Sequence, residues 1–235
     1  MFLLRFAAAS LGAAAAVLAG AAVALLPRRP RERWLLVAVA RTLRRLVCPA
    51  VGIRVEVSGI EHARGARPYV LVANHQSYLD YAILGDVCPR HTIVIGQSVL
   101  GRIPLVAWAF RRGGNVIVER GEAGSRQAAL LALEHAVRAG KNVWVFPEGT
   151  RNRRAPGTLL PFKRGAFHVA AAQDVPIIPI VAEPLAPRTD VAARRFERRT
   201  VRVRVLEPVH PGGRDASEIA SEVRARMEAA LGSLR

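Results

Sequence analysis

The chain opens on an almost uninterrupted apolar run, Phe2 to Leu26, built mainly of Ala, Leu, Val and Gly and interrupted by charge or hydroxyl only at Arg5 and Ser10. A run of that length can cross the hydrocarbon core of a bilayer. Arginine follows at once, in PRRPRER from Pro27 to Arg33 and again at Arg41, Arg44 and Arg45. A secretory leader is the other reading of such a run, since Ala22, Val23 and Ala24 resemble a small-residue cleavage site. Clustered arginine resists translocation, so the pattern favours an uncleaved anchor with the Arg-bearing side in the cytoplasm. Between Arg33 and Val47 the apolar positions Trp34, Val37, Leu43 and Leu46 share one side of a helix and the arginines take the others. This predicts an amphipathic helix at the membrane interface, with Trp34 at headgroup depth, against the plainer alternative of a helix packed on the domain that follows. A spanning helix with a surface helix, or two in-plane helices, would both satisfy the pattern.

After Gly52 the periodicity alternates. Runs rich in Val and Ile predict strands over Arg54 to Val57, Tyr69 to Ala73, Thr92 to Ile95, Asn115 to Val118, Asn142 to Phe146, Pro176 to Val181 and Val201 to Leu206. Helical patterns lie between them at Tyr78 to Gly85, Leu105 to Phe110, Ser125 to Ala139, Gly165 to Gln173 and Ser217 to Leu234. Strands that alternate with helices predict an α/β domain, a mostly parallel sheet flanked by helices, with an N-terminal membrane-anchoring helical segment. The expected division is residues 1–50 as anchor and amphipathic helix and 51–235 as the domain that carries the chemistry. The stripe Ile219, Val223, Met227 and Leu231 reads as core packing. VRVRV from Val201 to Val205 gives one basic strand face, solvated or turned to lipid headgroups.

Composition adds a partner class. The 235 residues carry a formal net charge of +17, and Lys141 and Lys163 are the sole lysines, so the positive charge is nearly all guanidinium. Arginine pairs bidentately with phosphate, which points to anionic lipid, a phosphorylated small substrate or nucleic acid. Only 6% of residues are aromatic, so a stacking platform for nucleic acid is missing, and that reading leaves the apolar N-terminus without a use. Cys48 and Cys88 stand alone and far apart, so neither a disulfide framework nor a zinc site is expected, and no metal-ligand spacing or Gly-rich nucleotide fingerprint occurs.

Polar chemistry gathers where strands end, the place where α/β sheets build their sites. NHQSYLD, Asn74 to Asp80, follows the second strand. An imidazole at His75 is suited to taking a proton from a hydroxyl, and a carboxylate on its other nitrogen fixes the tautomer. Five residues of separation suit that pairing only if His75 leaves the strand and Asp80 enters the next helix. NVWVFPEGTRNRRAPG, Asn142 to Gly157, again ends a strand, with Gly149 able to admit a close backbone approach and Arg151 offering a fork for phosphate. GGNVIVER places Arg120 after a third strand. No G-x-S-x-G elbow is present, which leaves Ser77 without the context of a nucleophile.

NHQSYLD, GNVIVER, VFPEGTRNR, LPFKRGAFH and VPIIPIV, in that order between Asn74 and Val181, resemble the ordered motifs of the glycerolipid acyltransferases, nearest to the 1-acyl-sn-glycerol-3-phosphate (lysophosphatidic acid) acyltransferases of bacteria. The resemblance implies transfer of a fatty acyl group from an acyl thioester to the sn-2 hydroxyl of 1-acyl-glycerol-3-phosphate, a step of phospholipid biosynthesis that yields phosphatidic acid. It implies His75 as general base oriented by Asp80, with Arg120, Glu148, Gly149, Thr150 and Arg151 holding the acceptor and shaping the site. It further implies acyl-CoA or acyl carrier protein as donor, no separate cofactor or metal, and the cytoplasmic side of the inner membrane. The family often has a basic residue where this chain has Ser98, in GQSVLGRIP, and Arg102 is a candidate to replace it. A lyso-ornithine lipid or glycerol 3-phosphate is the alternative acceptor, and a non-catalytic basic protein of membranes or nucleic acid the alternative of another class.

Overall fold

Seven strands form one sheet in the order β1-β9-β6-β2-β5-β3-β4. The computed structural model describes residues 1–64, 68–97, 103–118, 123–152, 155, 157–186, 188–190 and 193–234. The strands of the sheet are β1 (Ile53–Ser58), β2 (Val70–Ala73), β3 (Thr92–Gln97), β4 (Val116–Val118), β5 (Asn142–Val145), β6 (Ile177–Ala182) and β9 (Arg199–Val205). A short antiparallel hairpin, β7 (Thr189–Asp190) and β8 (Arg195–Phe196), had no strand pattern in the sequence. The helices are α1 (Phe2–Ala24), α2 (Arg28–Ala50), α3 (Asp80–Ile83), α4 (Pro104–Arg112), α5 (Ala123–Arg138), α6 (Gly165–Ala172) and α7 (Ala216–Ser233).

Five strands, from β6 to β4 in the sheet order, run parallel. β9 pairs antiparallel with β6 and parallel with β1, so the β9/β1 edge is reversed. The expected α/β architecture is present, and the carboxyl ends of β2, β5 and β6 share one rim. All six residues of β6 are buried, as a strand covered on both faces requires.

Each sheet face has its own core. α5, α6 and α7 cover one face, with Leu133, Phe167, Ile219, Val223, Met227 and Leu231 all buried. The apolar stripe expected on the last helix therefore does pack into the core. Asp215 caps α7, accepting from the N–H groups of Ser217 and Glu218 while the Glu218 carboxylate reaches back to the Asp215 N–H. On the outer side of β9, Arg202 donates to Leu234 O at 2.9 Å and Arg204 to Ser233 Oγ at 2.9 Å, so this basic face holds the end of α7.

The other face is covered by α2 and α3, and α1 lies outside α2. The buried side of α2 is wider than the stripe the sequence suggested: Leu35, Leu36, Val37, Ala40, Val47 and Cys48 are buried, Trp34 and Leu43 pack against the same core, and Leu46 is exposed. The reason is that α2 has two partners, the sheet on one side and α1 on the other. Trp34 is partly buried, packs against the core and has the Arg90 guanidinium 4.1 Å from its ring centroid. α1 meets α2 through Gly12, Ala16, Gly20 and Ala24, four small residues one turn apart. A Cβ at Gly12 would lie 2.9 Å from Leu46 Cβ, and one at Gly20 would lie 2.7 Å from Val39 Cγ2. Small residues at this spacing let two helix backbones approach closely.

The segment expected as a helix from Tyr78 to Gly85 is shorter. Only Asp80–Ile83 is α-helical, and a 3₁₀ turn at Leu84–Val87 ends it. The residues ahead of Asp80 are held in a turn by its side chain instead.

Gly20→Leu forces α1 from α2, with an expected loss of about 1–3 kcal/mol typical of overpacking. Thermal unfolding in detergent should show a lower midpoint for Gly20→Leu and no loss for Gly232→Ala, where nothing lies within 4 Å of the added methyl.

Candidate active site

β2 ends in buried Ala73, and the next residue ties the exit to β6. The amide of Asn74 is used at both ends on one residue, Nδ2 donating to Ala182 O at 3.0 Å and Oδ1 accepting from Ala182 N at 2.8 Å. Gln76 repeats the device, donating to Ala182 O and Glu183 O and accepting from Leu185 N. Between these two anchors stands His75.

Asp80, 1% exposed, gathers three N–H donors on one oxygen: His75 Nδ1 at 2.7 Å, Gln76 N at 2.8 Å and Ser77 N at 3.0 Å. An ionised carboxylate can only accept, so Nδ1 carries the hydrogen and Nε2 keeps a lone pair. The expected geometry, a histidine leaving a strand and an aspartate opening a helix, is what brings the two together. Phe146 backs the imidazole in a stack with centroids 4.1 Å apart, and Tyr81 meets Phe146 edge-on at 5.4 Å. The imidazole thus has its ring plane, tautomer and one edge determined by neighbours.

The loop after β5 closes on the same point. Glu148 is buried, and its two oxygens accept from His75 N at 2.8 Å and Leu160 N at 2.9 Å. Burial pushes its carboxyl above the ordinary carboxylate range, with those two N–H groups pulling the other way. Asn152 N donates to His75 O at 2.8 Å, so the backbone on both sides of His75 is held by this loop. Gly149 sits at φ +65°, and a Cβ there would lie 2.6 Å from Lys163 Nζ. The close neighbour that Gly149 admits is therefore the Lys163 ammonium stem, while Thr150 is exposed.

Arg151 lies over the Tyr78 ring, 3.4 Å from Cζ to the centroid, and its Nη1 is buried with no hydrogen-bond partner among the described residues. A stacked guanidinium loses freedom without spending its donors. His75, Asp80, Glu148, Gly149 and Arg151 thus converge at one rim, and Arg120 lies outside the described residues. Asn74, Gln76, Tyr78, Phe146 and Asn152 were not singled out by sequence reasoning, although all stand in the quoted motifs. The alternation of amides and aromatics there was the available signal.

This arrangement offers an oriented base nitrogen, an unpaired guanidinium nitrogen and a nearby ammonium. Comparison with known proteins decides what it belongs to. The acyltransferase family model matches residues 54–183, more than half of the chain. The chain belongs to the acyltransferase family. Curated relatives include the 1-acyl-sn-glycerol-3-phosphate acyltransferase alpha of Ovis aries, 40% identical over 187 residues, which cover 75% of this chain and 62% of that protein. The 1-acyl-sn-glycerol-3-phosphate acyltransferase of Saccharomyces cerevisiae is 32% identical over 82% of this chain and 63% of its own length. That of Salmonella typhimurium is 31% identical over 80% and 77%. The chain thus spans less than two thirds of the length of the first two relatives. In fold it is similar to the crystal structure of the 1-acyl-sn-glycerophosphate acyltransferase PlsC of Thermotoga maritima, with a TM-score of 0.77, 24% identity, and 99% of this chain and 94% of that one covered.

Within this acyltransferase fold Glu148 acts on the histidine loop through backbone N–H groups, which the isosteric Glu148→Gln cannot reproduce: one amide N–H₂ must face an N–H. The expected cost is about 1–3 kcal/mol for the unsatisfied pair. It should read out as a lower unfolding midpoint together with at least tenfold loss of kcat, measured on the purified variant.

Proposed function

We propose that the protein is a membrane-bound acyltransferase that moves a fatty acyl group from a thioester to the sn-2 hydroxyl of 1-acyl-glycerol-3-phosphate, giving phosphatidic acid. The observation that carries this reading is the 2.7 Å bond from His75 Nδ1 to Asp80, which leaves Nε2 as a base at a rim shared with Arg151. The names of the relatives support the acceptor. In the step proposed, Nε2 takes the hydroxyl proton as the lipid oxygen attacks the thioester carbonyl, and Asp80 stabilises the imidazolium that forms. The tetrahedral adduct then expels the thiolate as the C–S bond breaks, and the imidazolium proton is available to it. A thiol with a pKa of about 8.5 leaves readily, so one base suffices without a covalent enzyme intermediate. Acyl-CoA and an acyl group carried on acyl carrier protein are both thioesters that fit this step, and no further cofactor enters it.

Arg151 is assigned to the acceptor's phosphate because its Nη1 is a buried donor without a partner among the described residues. Tyr78 positions it by stacking. Arg120, Thr150 and Lys163 complete the proposed surroundings of the acceptor. The same base would serve a lyso-ornithine lipid or glycerol 3-phosphate, and it is the unpaired guanidinium that favours a phosphate-bearing lipid.

For the membrane we infer an in-plane attachment to the cytoplasmic face of the inner membrane. The outward side of α1 is Leu3, Leu4, Leu11, Leu18 and Leu25, all exposed, and the helix has a window of mean hydropathy 2.0. Both of its ends are bonded to the domain: Arg5 donates to Phe196 O, Phe2 stacks on Phe196 at 4.9 Å, and Arg112 donates to Ala24 O at 2.9 Å. A helix tied down at both ends, with an outer side apolar except for Ser10, whose hydroxyl donates to Phe6 O, suits the plane of a leaflet. The Arg-rich start of α2 supports the cytoplasmic side.

Purified protein in detergent, given acyl-CoA and a panel of lyso-lipids with products read by mass spectrometry, should form phosphatidic acid. Absence of any acylated product with every acceptor and donor would overturn the assignment. His75→Ala should lower kcat about 10²-fold or more, and Asp80→Asn should do likewise by favouring the other tautomer. Arg151→Ala and Tyr78→Ala should both raise the acceptor KM about tenfold with a smaller change in kcat, while Tyr78→Phe keeps the stack and the wild-type KM.

A further inference from the structure

α4 runs back along the sheet face that α2 covers, and its two sides differ. The inner side is small, Ala107 and Ala109, with Ala109 packed against Ala24 at the end of α1 and Leu35 of α2. The outer side is Leu105, Trp108 and Arg112, spaced about one turn apart, with Ile103 just ahead of the helix. Ile103 is 55% exposed, Leu105 42% and Trp108 38%. Two large apolar groups on a nine-residue helix, with a third just ahead of it, form a patch that water penalises.

This patch continues the apolar surface of α1. Arg112 ties the two helices by donating to Ala24 O at 2.9 Å, its guanidinium stands 5.6 Å from the Trp108 ring, and Arg31 donates to Arg112 O at 2.7 Å. Exposed Leu25 and Leu26 complete the apolar surface at that end of α1. Around it stand exposed Arg28, Arg29 and Arg111. Among the described residues the nearby acid Glu32 is already paired with Lys141 at 2.9 Å and with Arg28. An indole beside arginines at the border of an apolar surface is the arrangement of a membrane–water interface, and the arginines match anionic headgroups.

We propose that α4 is a second bilayer contact, with Leu105 and Trp108 entering the interfacial layer of an anionic phospholipid membrane beside the end of α1. The inference rests on the in-plane membrane reading above. Its consequence is for substrate access. α4 connects the parallel strands β3 and β4, so it runs back against them and its first residues face the end of the sheet at which β2 and β5 deliver His75 and Arg151. Two contacts, α1 and α4, then define the tilt of the domain, and the rim meets the leaflet at headgroup depth. A lyso-lipid reaches the base without leaving the membrane.

The test uses single introduced cysteines in the full chain. Cys48 and Cys88 are buried, and burial pushes their thiols to about 11 and about 12, so an exposed cysteine labels selectively. A polarity-sensitive fluorophore is placed at Leu105→Cys, at Leu18→Cys on α1 and at Leu131→Cys, an exposed position of α5 on the opposite sheet face. Vesicles of phosphatidylethanolamine and phosphatidylglycerol, with and without brominated acyl chains, are then added. The expected result is a blue shift and about twofold or greater quenching at 18 and 105, against no change at 131, for groups buried in the interfacial layer. Quenching at 18 with a water-like label at 105 overturns the α4 contact and leaves the membrane reading intact. Water-like labels at both overturn the two together. A label at 105 already shielded before vesicles are added means that protein covers this face, and that also overturns the proposal.

Discussion

One carboxylate oxygen organises the site. Asp80 Oδ2 accepts from His75 Nδ1, Gln76 N and Ser77 N, so the same atom closes the turn after β2 and orients the imidazole that the turn carries. Each hydrogen bond to a charged group contributes about 1.5–3 kcal/mol. Such bonds offset the cost of burying the carboxylate in a site almost closed to water. The geometry of base and turn cannot be separated: a residue unable to accept three N–H donors at position 80 would release both.

The turn would still drift if its surroundings did, and the parallel sheet prevents this. β2 lies between β5 and β6, and all three end at the same rim. Asn74 and Gln76 fasten the histidine loop to the end of β6, while Glu148 and Asn152 fasten it to the loop after β5. The backbone of His75 is held from two sides by groups whose own positions come from strand pairing. Burial of β6 on both faces makes that frame stiff, since its core interdigitates with both helical layers.

The helical hairpin connects this frame to its setting. α2 belongs to both parts, buried on the sheet by Leu36, Val37 and Ala40 and approached closely by α1 through Gly12 and Gly20. An apolar helix in water would be unfavourable along its outer side, and a bilayer removes that penalty. In the proposed in-plane attachment, the hairpin would couple the acyltransferase domain to a surface rich in the lipids it is proposed to use.

Much of this was legible in the chain because it is local. Strand positions, the terminal helix stripe and the strand–loop placement of NHQSYLD and FPEGTR follow from side-chain period and from Gly and Pro. Chemistry made His75 and Asp80 a possible pair, and the resemblance of the ordered motifs to the glycerolipid acyltransferases is what singled them out. Other features are long-range and have no local signal. The reversed β9/β1 edge depends on which strands find each other across the chain. Arg151 read as a generic phosphate fork, yet its partner Tyr78 lies 73 positions earlier and the stack exists only because β2 and β5 are neighbours. The buried side of α2 is wider than the expected stripe for a related reason: periodicity reports that a helix has an apolar side, and a helix with two partners has two. The sequence by itself determined which chemical groups are offered and at which strand ends. Tertiary structure alone decided how they face one another, because hydrogen bonds and stacking between distant segments are set by strand pairing and not by any property of the residues taken singly.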